Sequence, residues 1–191
     1  MITKKDIAEI FSEQLSKIEN TALRDKVVDT WVKACEVGSW ENIAELKKIP
    51  FTLLTDTKGV NFIEHTIAVT ESALGLASAQ KRAYKSLPYE INFDRLIAGA
   101  LLHDIGKLLE IERDGKGGFK VSRKGECTRH PISGGILAAK AGLSDEIVNI
   151  IVCHSKEGDG RAQVVETIFV HQADFACFNP LVMLSNKKLI S

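Results

Sequence analysis

Five histidines, His65, His103, His130, His154 and His171, lie between residues 65 and 171, with Asp104 adjacent to one of them and Asp174 three residues past another. Imidazole nitrogens and carboxylate oxygens hold divalent cations and move protons, so where each falls on its helix decides what it can do. Ile147, Ile150 and Ile151 set an apolar stripe whose next member is His154. Ile97, Leu101 and Leu108 set another whose missing member is Asp104, while Leu96 and Ala100 lead on to His103. Val164, Ile168 and Phe175 surround Asp174, and His65 shares a face with Val69 and Leu76. Each group is therefore expected to point inward. An ionised carboxylate buried alone costs several kcal/mol, and Lys107 is the one cation on those stripes. A divalent metal would satisfy carboxylates and imidazole lone pairs together, as in helical bundles with inward Glu and His groups. His171, one turn before Asp174, fits either a pocket wall or a helix surface.

The elements that position these groups read as helices. A Thr cap opens an amphipathic helix over 3–20, a second runs from about 21 to 36 and ends at Gly38, and Ser39 caps a third that stops before Pro50. Residues 1–50 carry no histidine and are read as a helical extension; residues 51–191 carry the chemistry. A long helix is expected over 61–86, ended by Pro88, then one opened by Asn92 or Asp94 that carries LLHDIGKLL. LEIERDGKGGFKVS has two β-favouring arms around a Gly-rich turn, a short hairpin. Pro131 and Gly142 bracket another helix, Ser144 caps the next, and a last helix covers about 163–177.

With 191 residues and 45% hydrophobic composition the chain can bury a proper core. Lys plus Arg equals Asp plus Glu at 25 each, which gives no global field for a nucleic-acid polyanion or an anionic membrane. No apolar run has the length of a signal or a membrane span, so a cytoplasmic protein is expected. Cys35, Cys127, Cys153 and Cys177 have no zinc-knuckle or redox spacing and read as reduced, mostly buried thiols. Cys153 next to His154 is set aside as a nucleophile, because helical neighbours point about 100° apart.

The pattern of a His in EHTIAV (His65), the pair in LLHDIGK (His103, Asp104) and a distant Asp in HQADF (Asp174) resembles the HD superfamily of metal-dependent phosphohydrolases over residues 58–178. The resemblance implies an all-α helical bundle in which those four residues hold a divalent metal. His130 in RHPISGG and His154 in CHSKEG match the two extra histidines of the binuclear branches. That implies Asp104 bridging, with His65, His103 and Asp174 on one ion and His130 and His154 on a second, from among Mn, Fe, Mg, Ni or Zn. The GYP signature of the cyclic di-GMP phosphodiesterases is missing.

The implied chemistry is hydrolysis of a phosphate ester, of a nucleotide or another small phosphorylated metabolite, by a metal-activated water. Lys107, at i+3 from Asp104, reaches the substrate phosphate or is a solvated lysine. Basic residues between Arg113 and Arg129 outnumber acidic ones and favour an anion at the mouth of the site, unless they are simply a solvated hairpin. Arg129, Ser155, Lys156, Arg161 and His171 are the further candidates for substrate contact. The same fold type hosts di-iron oxygenases, and an RNA-processing, binding or regulatory module is a further alternative, as is assembly into a homo-oligomer.

Overall fold

Capping side chains fix where the site-bearing helices begin. Asn61 accepts from the amides of Ile63 and Glu64 while Glu64 bonds back to the Asn61 amide, which starts the long helix Phe62–Ala83 and puts His65 in its first turn. Asn92 accepts from the Arg95 amide and opens Phe93–Leu102, as expected. The computed structural model describes residues 1–190. In chain order it contains α1 (Lys4–Ile10), α2 (Ser12–Ser16), α3 (Thr21–Val37), α4 (Ile43–Leu46), α5 (Phe62–Ala83), α6 (Phe93–Leu102) and α7 (Lys107–Glu110). The hairpin β1 (Ile111–Arg113) and β2 (Phe119–Val121) follows, pairing Ile111 with Val121 and Arg113 with Phe119. Then come α8 (Arg123–Cys127), α9 (His130–Lys140), α10 (Asp145–Cys153), a 3-10 turn over Lys156–Gly158 and α11 (Val165–Ser185). Among the described residues the fold is all-α apart from that hairpin.

Several boundaries differ from the sequence reading. The single helix over 3–20 is two, broken at Phe11, whose ring is fully buried and lies 4.8 Å from Trp31. Ser39 caps nothing; it takes a positive φ of 58°, and Asn42 caps α4 instead. The long helix stops at Ala83, ahead of Pro88, and α11 runs on through Pro180 to Ser185. Helix α8 was not expected. Two of the proposed stripe markers are surface residues: Ile168 is 49% and Leu76 41% exposed. The inward residues of α11 next to Asp174 are Val170 and Ala173, which pack with Val69 and Ala73 of α5 and Leu96 and Ala100 of α6.

LLHDIGKLL is not one helix. Helix α6 ends at Leu102, and the next bonds are tight i to i+3 turns, Ile105 amide to Leu102 carbonyl at 3.0 Å and Lys107 amide to Asp104 carbonyl at 2.8 Å. Gly106 lets this turn press on the start of α9: a Cβ there would lie 2.1 Å from the His130 carbonyl oxygen and 2.7 Å from the Gly134 nitrogen. The first 50 residues brace the same turn. Trp31 of α3 donates its indole N–H to the Leu101 carbonyl at 3.0 Å, and Trp40 donates to the Leu108 carbonyl at 2.8 Å. Both tryptophans are buried and belong to the main apolar core with Phe51, Phe62, Leu101 and Ile151.

Candidate metal centre

The turn between α6 and α7 puts Asp104 at the meeting point of four imidazoles. Its Oδ2 is 3.4 Å from His65 Nε2 and 3.3 Å from His103 Nε2; its Oδ1 is 3.1 Å from His130 Nε2 and 3.5 Å from His154 Nε2. Asp174 Oδ1 approaches His65 Nε2 at 3.1 Å and His103 Nε2 at 4.0 Å. Two ligand sets result, His65, His103, Asp104 and Asp174, and Asp104, His130 and His154, with one donor atom of every member within 4.8 Å of the others in its set. Each oxygen of Asp104 serves one set, the arrangement a bridging carboxylate requires.

Backbone and side-chain partners aim the imidazoles. His103 Nδ1 donates to the Ala100 carbonyl at 2.6 Å, His154 Nδ1 to the Ile151 carbonyl at 2.7 Å, and His130 Nδ1 to Glu110 at 3.1 Å. With the proton fixed on Nδ1, each Nε2 lone pair is directed at the centre. His65 stacks on Phe51, ring centroids 4.1 Å apart. The Nε2 atoms of His65, His103 and His154 and Oδ1 of Asp104 are buried and have no aligned protein hydrogen bond. Orphaned buried donors and acceptors on this scale are rare in folded proteins, and a cation at their convergence satisfies all of them.

The two carboxylates and His154 carry the protonation states that ligation needs. Burial opposes charge on Asp104, yet Lys107 and His103, followed by His130, hold its carboxyl well below the usual carboxylate range. Burial likewise opposes charge on Asp174, but the His65 imidazole 3.1 Å away brings it down to about 2. Burial lowers His154, which keeps that imidazole neutral. His65 is raised, because Asp104 and Asp174 outweigh the effect of burial. At neutral pH both carboxylates are ionised, as metal ligands must be.

A cavity of about 370 Å³ opens over this centre. Lys107, Arg129, His130, Ser155, Lys156 and Asp174 line it. Lys107 is no solvated lysine: its side chain is 11% exposed, with Nζ 2.5 Å from Asp104 Oδ2 and over the Phe51 ring. Arg161 is exposed and lines no part of this cavity. His171 also lies off it; its Nδ1 meets the His154 carbonyl at 2.8 Å and its ring lies 4.7 Å from Phe175. The hairpin's positive excess is not at the mouth. Arg113 reaches Glu45 of α4 and covers Trp40, Lys120 pairs with Glu112 across the hairpin, and Arg123 with Glu126 within α8. Of that basic run, only Arg129 reaches the cavity.

Two residues that the sequence did not single out support the site. Glu110, at the end of α7, accepts from the His130 amide at 2.6 Å as well as from its ring. Burial opposes its charge, but His130 holds its carboxyl below the ordinary value. Its only sequence signal is its place three residues after Lys107. Glu157 accepts from Ser155 and lies 3.7 Å from Arg129. Glu110→Gln should weaken binding at the His130 set by about 10- to 100-fold while sparing the other set, the usual effect of removing a carboxylate behind a ligating histidine. Metal titration by calorimetry checks this, and equal loss at both sets would refute it.

Neither Cys35 nor Cys153 is a nucleophile in waiting. All four are free; Cys35 and Cys153 are buried and Cys127 is exposed. Burial drives the Cys35 thiol up to about 12 and raises Cys153.

The family model of the HD domain matches residues 62–175, a span that contains both ligand sets. The chain belongs to the HD domain family. Among curated proteins it is 34% identical over 115 residues to a dihydroneopterin 2',3'-cyclic phosphate phosphodiesterase of Methanocaldococcus jannaschii, covering 60% of this chain and 45% of that one. It is 31% identical over 116 residues to ribonuclease Y of Pseudothermotoga lettingae, 61% of this chain and 18% of the relative. Ribonuclease Y of Thermoanaerobacter pseudethanolicus is 32% identical over 144 residues, 74% of this chain and 23% of the relative. This HD chain thus spans less than half the length of these relatives. No solved structure gave a match. The HD domain and the His/Asp cluster together point to divalent metal binding. Among the described residues no helix is long and apolar enough to cross a membrane.

Proposed function

We propose that this HD chain is a divalent-metal-dependent phosphohydrolase acting on a small phosphate ester, with residues 51–191 as the hydrolytic unit and residues 1–50 as the helical extension that braces it. His65, His103, Asp104 and Asp174 would hold one ion, and Asp104, His130 and His154 a second. The single observation that carries the reading is the pair of buried ligand sets sharing the two oxygens of Asp104. Four imidazoles among six ligands favour Mn, Fe, Ni or Zn over Mg. Bound there, the ions supply Lewis acidity towards a phosphoryl oxygen and bring the pKa of a water towards neutrality.

The chain's own groups do the rest. Lys107, nearly desolvated beside Asp104, presents a fixed positive charge at the cavity floor, where a phosphoryl group seated on the centre develops charge. Arg129 and Lys156 flank the opening, and Ser155 offers a hydroxyl from the turn after α10. His171 holds the His154 carbonyl and so acts as a positioning residue rather than a substrate contact. RNA is the second reading, favoured by the ribonuclease Y relatives. Against it stand the balanced charge and a hairpin in which Arg113 and Lys120 are paired within the chain.

Protein purified without chelator should carry close to two transition-metal ions per chain by elemental analysis. Re-adding ion to 100 times its dissociation constant should stabilise the stripped protein by about 2.7 kcal/mol. It should hydrolyse members of a panel of monoesters, cyclic phosphates and short RNAs with Mn²⁺, Ni²⁺ or Fe²⁺, without consuming oxygen. Failure on the whole panel with every metal, or iron-dependent oxygen uptake, would overturn the proposal.

A further inference from the structure

The cavity has two unlike halves, and the second is not explained by phosphate chemistry. Beyond the ligands its wall is Leu53, Leu54, Val121 and Phe178, with Phe51 and Phe175 joining it to the metal centre. Leu54 is 81%, Val121 44% and Leu53 38% exposed, so a row of apolar side chains borders the opening without a cover. None of the six has a side-chain donor or acceptor; the Thr52 hydroxyl between them accepts from the Leu54 amide at 3.1 Å and keeps its O–H to donate. The aromatic members are organised: Phe51 is fixed by its stack on His65 and meets Phe178 edge-on, with centroids 6.3 Å apart.

Two of the three cations in the charged half, Lys107 and Arg129, are matched within the protein. Lys107 is bound to Asp104, and Arg129 lies 3.8 Å from Glu110 and 3.7 Å from Glu157. Lys156 alone is left over, too little positive field for a di- or triphosphate chain or for a run of backbone phosphates. The charge that draws the substrate is therefore concentrated at the centre, where one phosphoryl group fits.

Resting on the phosphohydrolase reading, we infer that the substrate carries a single phosphoryl group on an uncharged, largely apolar ring system, and that Leu53, Leu54, Val121, Phe175 and Phe178 seat the ring. With Thr52 the one side chain among them that can hydrogen-bond, the ring is selected by apolar area and planarity far more than by its edge pattern. Rings differing in their heteroatoms are accepted alike, and ring-free esters are poor.

Charge-matched phosphonates test this without turnover. On Mn²⁺-loaded protein, benzylphosphonate should bind about 10- to 100-fold tighter than methylphosphonate, the gain expected from burying one ring after ordering costs. Its binding heat capacity should be the more negative of the two, the mark of apolar burial. Leu54→Ala, at a position exposed enough to leave folding alone, should narrow that ratio severalfold. Equal affinity of the two phosphonates, in a protein that hydrolyses phosphate esters, overturns the inference and leaves the phosphohydrolase reading standing. Tighter, steeply salt-dependent binding of a short RNA phosphonate analogue overturns it in favour of a polyanion. If no phosphonate binds and no ester is cleaved with any metal, the phosphohydrolase reading itself has failed, and this inference with it.

Discussion

Asp104→Ala should leave the protein without bound divalent metal at either ligand set and lower ester hydrolysis by more than about a thousandfold, a barrier increase of about 4 kcal/mol or more. No other side chain belongs to both sets. Removing Asp174 or His65 leaves His130 and His154 with their carboxylate; removing Asp104 deprives both groups at once. The alanine variant also leaves the largely desolvated Lys107 without its paired carboxylate, and breaking a buried pair from one side destabilises by up to about 3–5 kcal/mol. Asp104→Asn separates the two effects. It keeps the volume and one carbonyl oxygen, so the fold should survive, yet it supplies neither the charge nor the two equivalent oxygens. Metal content by elemental analysis and the melting temperature with and without added Mn²⁺ check this. The native protein should be stabilised by the ion and the asparagine variant should not. An asparagine variant that still held two ions would show that Asp104 does not bridge.

How far the sequence reaches is clearest at the same residue. Helical periodicity places Asp104 on an inward stripe with Ile97, Leu101 and Leu108, and the residue is indeed buried, but for another reason. The helix has ended by then, and a run of tight turns, locked by Gly106 against α9 and by two indole N–H groups from α3 and the α3–α4 link, carries it inward. Those locks join positions far apart in the chain, so no local pattern shows them. His154 was legible because its stripe, Ile147, Ile150 and Ile151, lies on one real helix. Asp174 was legible as a ligand type, but its markers were not: Ile168 faces water, and only the packing of α11 on α5 and α6 shows that Val170 and Ala173 face in. The charges between Arg113 and Arg129 could be counted but not paired, since Glu45, which takes Arg113, belongs to the first helical segment. Glu110 was silent for a similar reason. Its function depends on α9 starting beside the end of α7, a tertiary fact.

Lys107→Ala should do two opposite things: lower turnover by about 100- to 1000-fold, the usual loss when one group stabilising transition-state charge is removed, and tighten metal binding. The second half follows from position. The ammonium sits 2.5 Å from Asp104 Oδ2, the oxygen that faces His65 and His103, so it occupies part of the field a cation in that set would use. In the metal-free protein it neutralises the carboxylate and helps keep it ionised. Once an ion is bound it becomes a like charge a few Å away, and at an effective dielectric near 20 such a repulsion is worth at least about 1–2 kcal/mol, of order tenfold in affinity. On the proposed reading the protein would give up some metal affinity to keep a positive group at the cavity floor, where an anion is to be received. Lys107→Met keeps the stem packed over Phe51 and isolates the charge from the packing. Metal affinity by competition with a chelator dye and turnover at saturating metal give the two numbers. If metal binding weakens in both variants, Lys107 supports the ligand set instead of competing with it, and the drop in activity would say nothing about the phosphate.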